Sequence, residues 1–129
     1  MPEGYGLTEA SSFEVVSAYA SARARVPAVT STPGWHVVGV FFLPLNGNAR
    51  LDVLGSVSAS GLTMNVRLFD LTTKAPVAGP VSITSTSTTR QLGPSVSLTG
   101  QRAYQVQAEC IGTPGVDNFG ILDTATVSE

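Results

Sequence analysis

The chain has 129 residues, of which 43% are hydrophobic and 12% charged, with 13 glycines, 8 prolines, one cysteine and a formal net charge of -2. That length suits one domain, large enough to bury about two thirds of its unfolded surface without a disulfide or a structural metal. The charged share is about half the usual ~25%, and β-branched residues abound, which excludes an intrinsically disordered chain; seven scattered basic residues exclude a groove built to neutralise phosphates.

Taken in chain order, residues 1–30 are expected to form either an N-terminal arm or a first strand. Phe13-Glu14-Val15-Val16 favours a strand over 12–19, although Ala and Ser at 17–24 also permit a helix. Ala20 to Gly34, with Arg23, Arg25, Pro27 and Pro33, lacks clean alternation and reads as a long loop or an extended arm. From Trp35 to Leu43 apolar residues fall on both parities: Trp35, Val37, Phe41 and Leu43 against Val38, Val40 and Phe42. Such a strand is covered on both faces or lies in a subunit contact. Pro44 and Asn46-Gly47 follow, and because a two-residue type I′ turn needs positive φ at both central positions, this dipeptide predicts a hairpin into a strand over Arg50 to Ala59.

Ser60-Gly61 predicts the next turn, and Leu62, Met64, Val66 and Leu68 then alternate with Thr63, Asn65, Arg67 and Phe69, the pattern of a half-buried strand with an unexplained Phe69 on its outer face. Thr72 to Pro76 is a turn-rich connection, Val81 and Ile83 open a Ser/Thr-rich run ending at Thr89, and Pro94 to Leu98 predicts a short strand. After a turn at Gly100-Gln101, Tyr104, Val106, Ala108 and Cys110 point inward against Gln105, Gln107 and Glu109, and a last strand is expected near Asn118 to Val127. Seven or eight short strands with regular turn signals and no helical repeat predict one all-β domain over 1–129, an antiparallel β-sandwich with Greek-key or jelly-roll routing; a small closed barrel is the runner-up.

Two stretches carry a resemblance. Leu98-Thr99-Gly100-Gln101-Arg102-Ala103-Tyr104-Gln105-Val106 resembles the tyrosine corner of immunoglobulin-like and fibronectin type III sandwiches. The resemblance implies a structural role for Tyr104, hydrogen-bonding back across the preceding turn. The match covers nine residues, and the flanking Trp and Cys of immunoglobulin domains are absent. More loosely, Val66-Arg67-Leu68-Phe69-Asp70-Leu71-Thr72-Thr73, running past Pro76 to Val81-Ser82-Ile83, is similar to the strand, Thr-rich turn, strand units of jelly-roll domains in carbohydrate-binding modules and bacteriophage virion proteins.

Catalytic chemistry finds little to work with. The one histidine, His36, follows Trp35 on a strand with no G-x-S-x-G elbow in the chain, so it reads as a rim or structural residue. Asp52, Asp70, Glu109, Asp117 and Asp123 form no diagnostic acid/base spacing and are read as turn or outward-facing strand residues. Asp117-Asn118 with Asp123 offers oxygen atoms, but no calcium-loop pattern is present, and one His plus one Cys cannot complete a zinc site. Neither G-x-G-x-x-G nor a P-loop occurs. No metal and no cofactor is expected, and Cys110 reads as a small buried apolar residue rather than a reactive thiol.

The expectation that remains is binding. Trp35 with His36 and a loop carboxylate could make a sugar-stacking platform, the rival to packing of Trp35 in the core or in a subunit contact. Surplus apolar surface on the 35–43 strand points to cover from another chain, and a Ser/Thr-rich, Lys-poor surface loses little side-chain entropy on packing. The sequence therefore predicts a non-enzymatic structural or accessory subunit of an assembly, with self-association open. Trp35, Val38, Val40 and Phe42 are its contact residues, with the N-terminal arm reaching a neighbour, and Tyr104, Asn46 and Gly47 are structural. By the jelly-roll likeness the leading form is a phage-type virion component such as a head decoration or tail accessory protein; the alternative is a carbohydrate-binding module. Met1 to Leu7 lack a secretion signal and no apolar run reaches the ~18 residues of a membrane span. Synthesis in a reducing cytoplasm is expected, with later assembly into a virion compatible, and neither membrane nor nucleic acid as partner.

Overall fold

The computed structural model describes residues 24–31 and 34–128. Among them lie nine strands and no helix: β1 (Ala24–Val29), β2 (His36–Leu43), β3 (Gly47–Val57), β4 (Thr63–Asp70), β5 (Ala75–Ile83), β6 (Thr89–Leu92), β7 (Val96–Leu98), β8 (Arg102–Ile111) and β9 (Phe119–Ser128). The all-β class follows from the alternation. On β4, Met64, Val66 and Leu68 are buried while Thr63, Asn65, Arg67 and Phe69 are only half-buried, and on β8 Tyr104, Val106, Ala108 and Cys110 are buried.

Hydrogen bonding runs along one curled mixed sheet in the order β5-β4-β8-β1-β9-β3-β6, with β2 also on β8 and β7 also on β3. The continuity comes from β1, which changes neighbours midway. Ala24 to Pro27 pair antiparallel with Leu122 to Phe119 of β9, and Ala28 and Val29 then run parallel to Cys110 and Ile111 of β8. The sheet is thus mixed rather than purely antiparallel, and the described strands number nine rather than seven or eight. The stretch read as a loop or arm holds β1, in which Val26 and Ala28 are buried between exposed Arg25 and Pro27; Pro27 had hidden an ordinary alternation. The strand expected over 12–19 and the rest of the N-terminal arm lie outside the described residues.

The hairpin expected at Asn46-Gly47 does not form. β2 pairs with β8 and β3 with β6, β7 and β9, so the 44–46 connection carries the chain from one part of the sheet to another. Neither Asn46 nor Gly47 has a positive φ. Instead the Asn46 side-chain oxygen accepts the Gly100 amide at 2.7 Å, the Gln101 amide donates to the Leu43 carbonyl at 2.6 Å and the Gln101 side-chain amide donates to the Pro44 carbonyl at 2.8 Å. Asn46 therefore ties the β7–β8 turn to the β2–β3 connection. β3 correspondingly begins at Gly47 and ends at Val57, earlier than expected.

The curl folds β4 and β8 over β3 and β9. Met64 on β4 is fully buried and lies so close to two facing glycines that a Cβ on Gly120 would stand 2.7 Å from its sulfur, and one on Gly55 would stand 2.8 Å from its Cε. Leu51, Val53 and Val57 of β3, and Leu122, Ala125 and Val127 of β9, complete the same core. Cys110 is buried there, and burial raises its thiol pKa.

Candidate functional site

The face of the sheet turned away from this core, over β4, β8 and β2, has two adjoining parts. On β4 and β8, Asn65 lies opposite Glu109, Arg67 opposite Gln107 and Phe69 opposite Gln105. Their side chains form two runs of hydrogen bonds. Ser82 Oγ donates to Asn65 Oδ1 at 2.6 Å, Asn65 Nδ2 to Glu109 Oε2 at 3.1 Å, Arg67 Nε to Gln107 Oε1 at 2.8 Å, and Gln107 Nε2 to Gln105 Oε1 at 2.9 Å. The Gly34 amide donates to Glu109 Oε1 at 3.2 Å, bringing the segment before β2 across the sheet. Trp35 follows, with the Arg67 guanidinium carbon 4.1 Å from its ring centroid and 5.3 Å from that of Phe69. A guanidinium between two aromatic rings is held by attraction to their negative faces, which accounts for Phe69 on an outward position.

This arrangement places Glu109 and Gln107 among the buried polar residues; Glu109 lies on the outward parity expected of it but is not exposed, because the segment at Gly34 reaches over it. The sequence reading passed over Asn65, Arg67 and Gln107. Their signal was the register of the 63–70 and 102–111 strands, which only the paired sheet supplies. A sugar ring stacking on Trp35 meets an indole that already has Arg67 against one face.

The second part is an apolar ribbon along β2. A bulge between Val37 and Gly39 shifts its register against β8, and beyond it Phe41 and Leu43 turn into the core while Val40 and Phe42 turn out. Val37, Val40, Phe42 and Leu45 are 52%, 59%, 53% and 75% exposed, leaving only Leu92 and Val116 as other exposed large apolar residues among the described ones. Val38, at the bulge, packs partly buried against the core, and Trp35 is half-buried. The four expected contact residues therefore divide. Val40 and Phe42 face out with Val37 and Leu45 beside them, Val38 is drawn inward, and Trp35 belongs to the polar part.

Elsewhere, Tyr104 is buried, its ring stacked on Phe41 at 5.6 Å; its hydroxyl donates to the Thr99 carbonyl at 2.7 Å and accepts the Thr99 amide at 3.0 Å. Burial and the negative charge of Asp70 raise the phenol's pKa. Asp70 serves the turn after β4, one of the two roles expected of it, but from a buried position: its Oδ1 accepts the Thr72 amide at 2.8 Å and the Thr73 amide at 3.3 Å, and its Oδ2 pairs with Arg102 at 2.8 Å. Asp52 makes a two-pronged pair with exposed Arg90, His36 is exposed at the start of β2, and Asp117 lies on an exposed loop where its carbonyl accepts the Ser58 hydroxyl. Among the described residues no three His, Cys, Asp or Glu side chains gather as metal ligands, and no helix is long and apolar enough to cross a membrane. Among the described residues the arrangement is thus one of hydrogen-bonded polar groups beside an exposed apolar strip. The sequence matches no known family model and no curated protein.

Proposed function

We propose that this chain is a non-enzymatic structural or accessory subunit of a larger protein assembly, that its curled sheet works as a β-sandwich of Greek-key or jelly-roll type, and that its specific form is a phage-type virion component, a head decoration or tail accessory protein. The observation that carries the subunit reading is the exposed ribbon of Val37, Val40, Phe42 and Leu45 on β2. A contiguous apolar strip rimmed by polar groups is the kind of surface that another protein covers. The virion form rests on the jelly-roll likeness of the 66–83 stretch, which here is the β4–β5 hairpin with its Thr72-Thr73 turn.

Interface burial is the mechanism: the ribbon supplies the apolar contact, and the Arg67–Gln107–Gln105 and Ser82–Asn65–Glu109 hydrogen bonds keep the adjoining face rigid so that little order is lost on docking. The test is to make the tagged full chain in its native host and sediment the lysate. The chain is expected to travel with a particle far larger than its own 13.3 kDa, and Val40→Asp with Phe42→Asp to return it to the top of the gradient. Wild-type chain sedimenting free overturns the reading.

A further inference from the structure

β2 differs from the other borders of the sheet. β5 and β6 end the hydrogen-bonded order, and each is spoiled as a template: β5 carries Pro76 and Pro80 and two irregularities of register against β4, while β6 is four residues long and carries Arg90. Prolines, bulges, short length and charge are the devices that keep sheet edges from pairing with other chains. β2 pairs with β8 on one side, and no described strand pairs with its other side; its one bulge, between Val37 and Gly39, lies near its start and leaves Gly39 to Leu43 in unbroken register. From His36 to Leu45 it carries no Asp, Glu, Lys or Arg, and no proline before Pro44. Its exposed apolar residues are moreover spaced symmetrically. Val40 and Phe42 stand one residue either side of Phe41, and Val37 and Leu45 stand four residues either side of it.

We infer that the occupant of this edge is a second copy of the same chain, the two β2 strands pairing antiparallel about a two-fold axis at Phe41. In that register Val40 of one protomer lies opposite Phe42 of its partner and the reverse, on the outward face, while Val37, before the bulge, and Leu45, past the end of β2, flank the paired stretch. Apolar β-branched and aromatic residues directly opposite one another are favourable cross-strand neighbours. A two-fold contact requires a surface complementary to itself, and a strip with no Asp, Glu, Lys or Arg meets no like charge in its own copy. Backbone pairing supplies affinity as in strand addition generally. β2 ends at Leu43, so about an axis at Phe41 the two strands overlap only over 39–43, well below the ~800 Å² per partner of a standard interface, and the dimer is reversible and depends on concentration.

This inference rests on the subunit reading and is tested apart from it, by sedimentation of the purified full chain. The wild type is expected to approach twice its monomer mass as concentration rises. Val40→Lys and Phe42→Glu, both on exposed positions and checked for an unchanged far-UV spectrum, are each expected to stay monomeric. Mixed in equal amounts they are expected to recover the doubled mass, because Lys on one chain then faces Glu on the other. A monomeric wild type overturns the inference, and so does a dimeric wild type whose charged variants fail to recover on mixing. A wild type that is monomeric alone yet travels with a large particle from its host overturns the second copy and leaves the subunit reading standing; a β2 dimer with no such particle does the reverse.

Discussion

Asp70 shows how a single residue fastens two parts of the chain. Burial acts to raise its carboxyl pKa, but the Thr72 amide, the Arg102 guanidinium and the Thr73 amide together outweigh it and leave the carboxyl below its ordinary value. A native value below the unfolded one, ~3.9 for aspartate, means that the unfolded chain takes up the proton first as pH falls. The stabilisation is therefore present above the unfolded value and drains away as pH falls through the native one. Asp70→Asn is expected to cost about 2 kcal/mol at neutral pH, since a charged acceptor for two amides and Arg102 is lost, and to flatten the acid limb of stability. Urea midpoints taken from neutral pH down into the acid range check this; an unchanged acid limb in the variant sinks it. The same residue marks where sequence reading runs out. Arg102 is 32 positions away from Asp70 and Gly34 is 75 from Glu109, so nothing local distinguishes these carboxylates from turn or surface ones.

At the scale of elements, strands were legible where one face is buried, as in Leu62 to Leu68 and Tyr104 to Cys110, because a period of two reports that burial directly. Pairing was not. Asn46-Gly47 is a strong hairpin signal in isolation, yet the amide side chain serves the Gly100 turn instead, a use that depends on residues more than fifty positions on. The ribbon at 35–43 was recognisable as apolar on both parities, but the bulge at Val38 that sorts its residues between core and surface left no mark in the composition. The close contact of β4 with β3 and β9 gives a graded prediction. A Cβ on Gly55 would lie 2.5 Å from the Ile121 carbonyl oxygen, a backbone atom, whereas the three atoms nearest to one on Gly120 all belong to the side chain of Met64. Methionine is flexible enough to yield part of that space. Gly55→Ala is therefore expected to destabilise by about 2 kcal/mol and Gly120→Ala by less, measured by chemical denaturation; the reverse order contradicts the packing described.

For the molecule as a whole, β1 sews the β9 side to the β8 side, so neither is expected to open by itself. Cys110 sits where that seam closes: on β8 it lies opposite Met64 of β4 on one side and Ala28 of β1 on the other. Its labelling by a thiol reagent is expected to require unfolding of the entire chain, with a denaturant dependence equal to that of the loss of far-UV ellipticity. Labelling that ignores denaturant would mean that the β1 seam parts locally.

With its one thiol sealed at that junction, the polypeptide carries an internal clock: the instant at which the reagent finds the sulfhydryl dates the moment the fold lets go. Chemists adding a fluorophore or cross-linker handle elsewhere on the surface could leave the native thiol in place, since under folding conditions only the newcomer reacts.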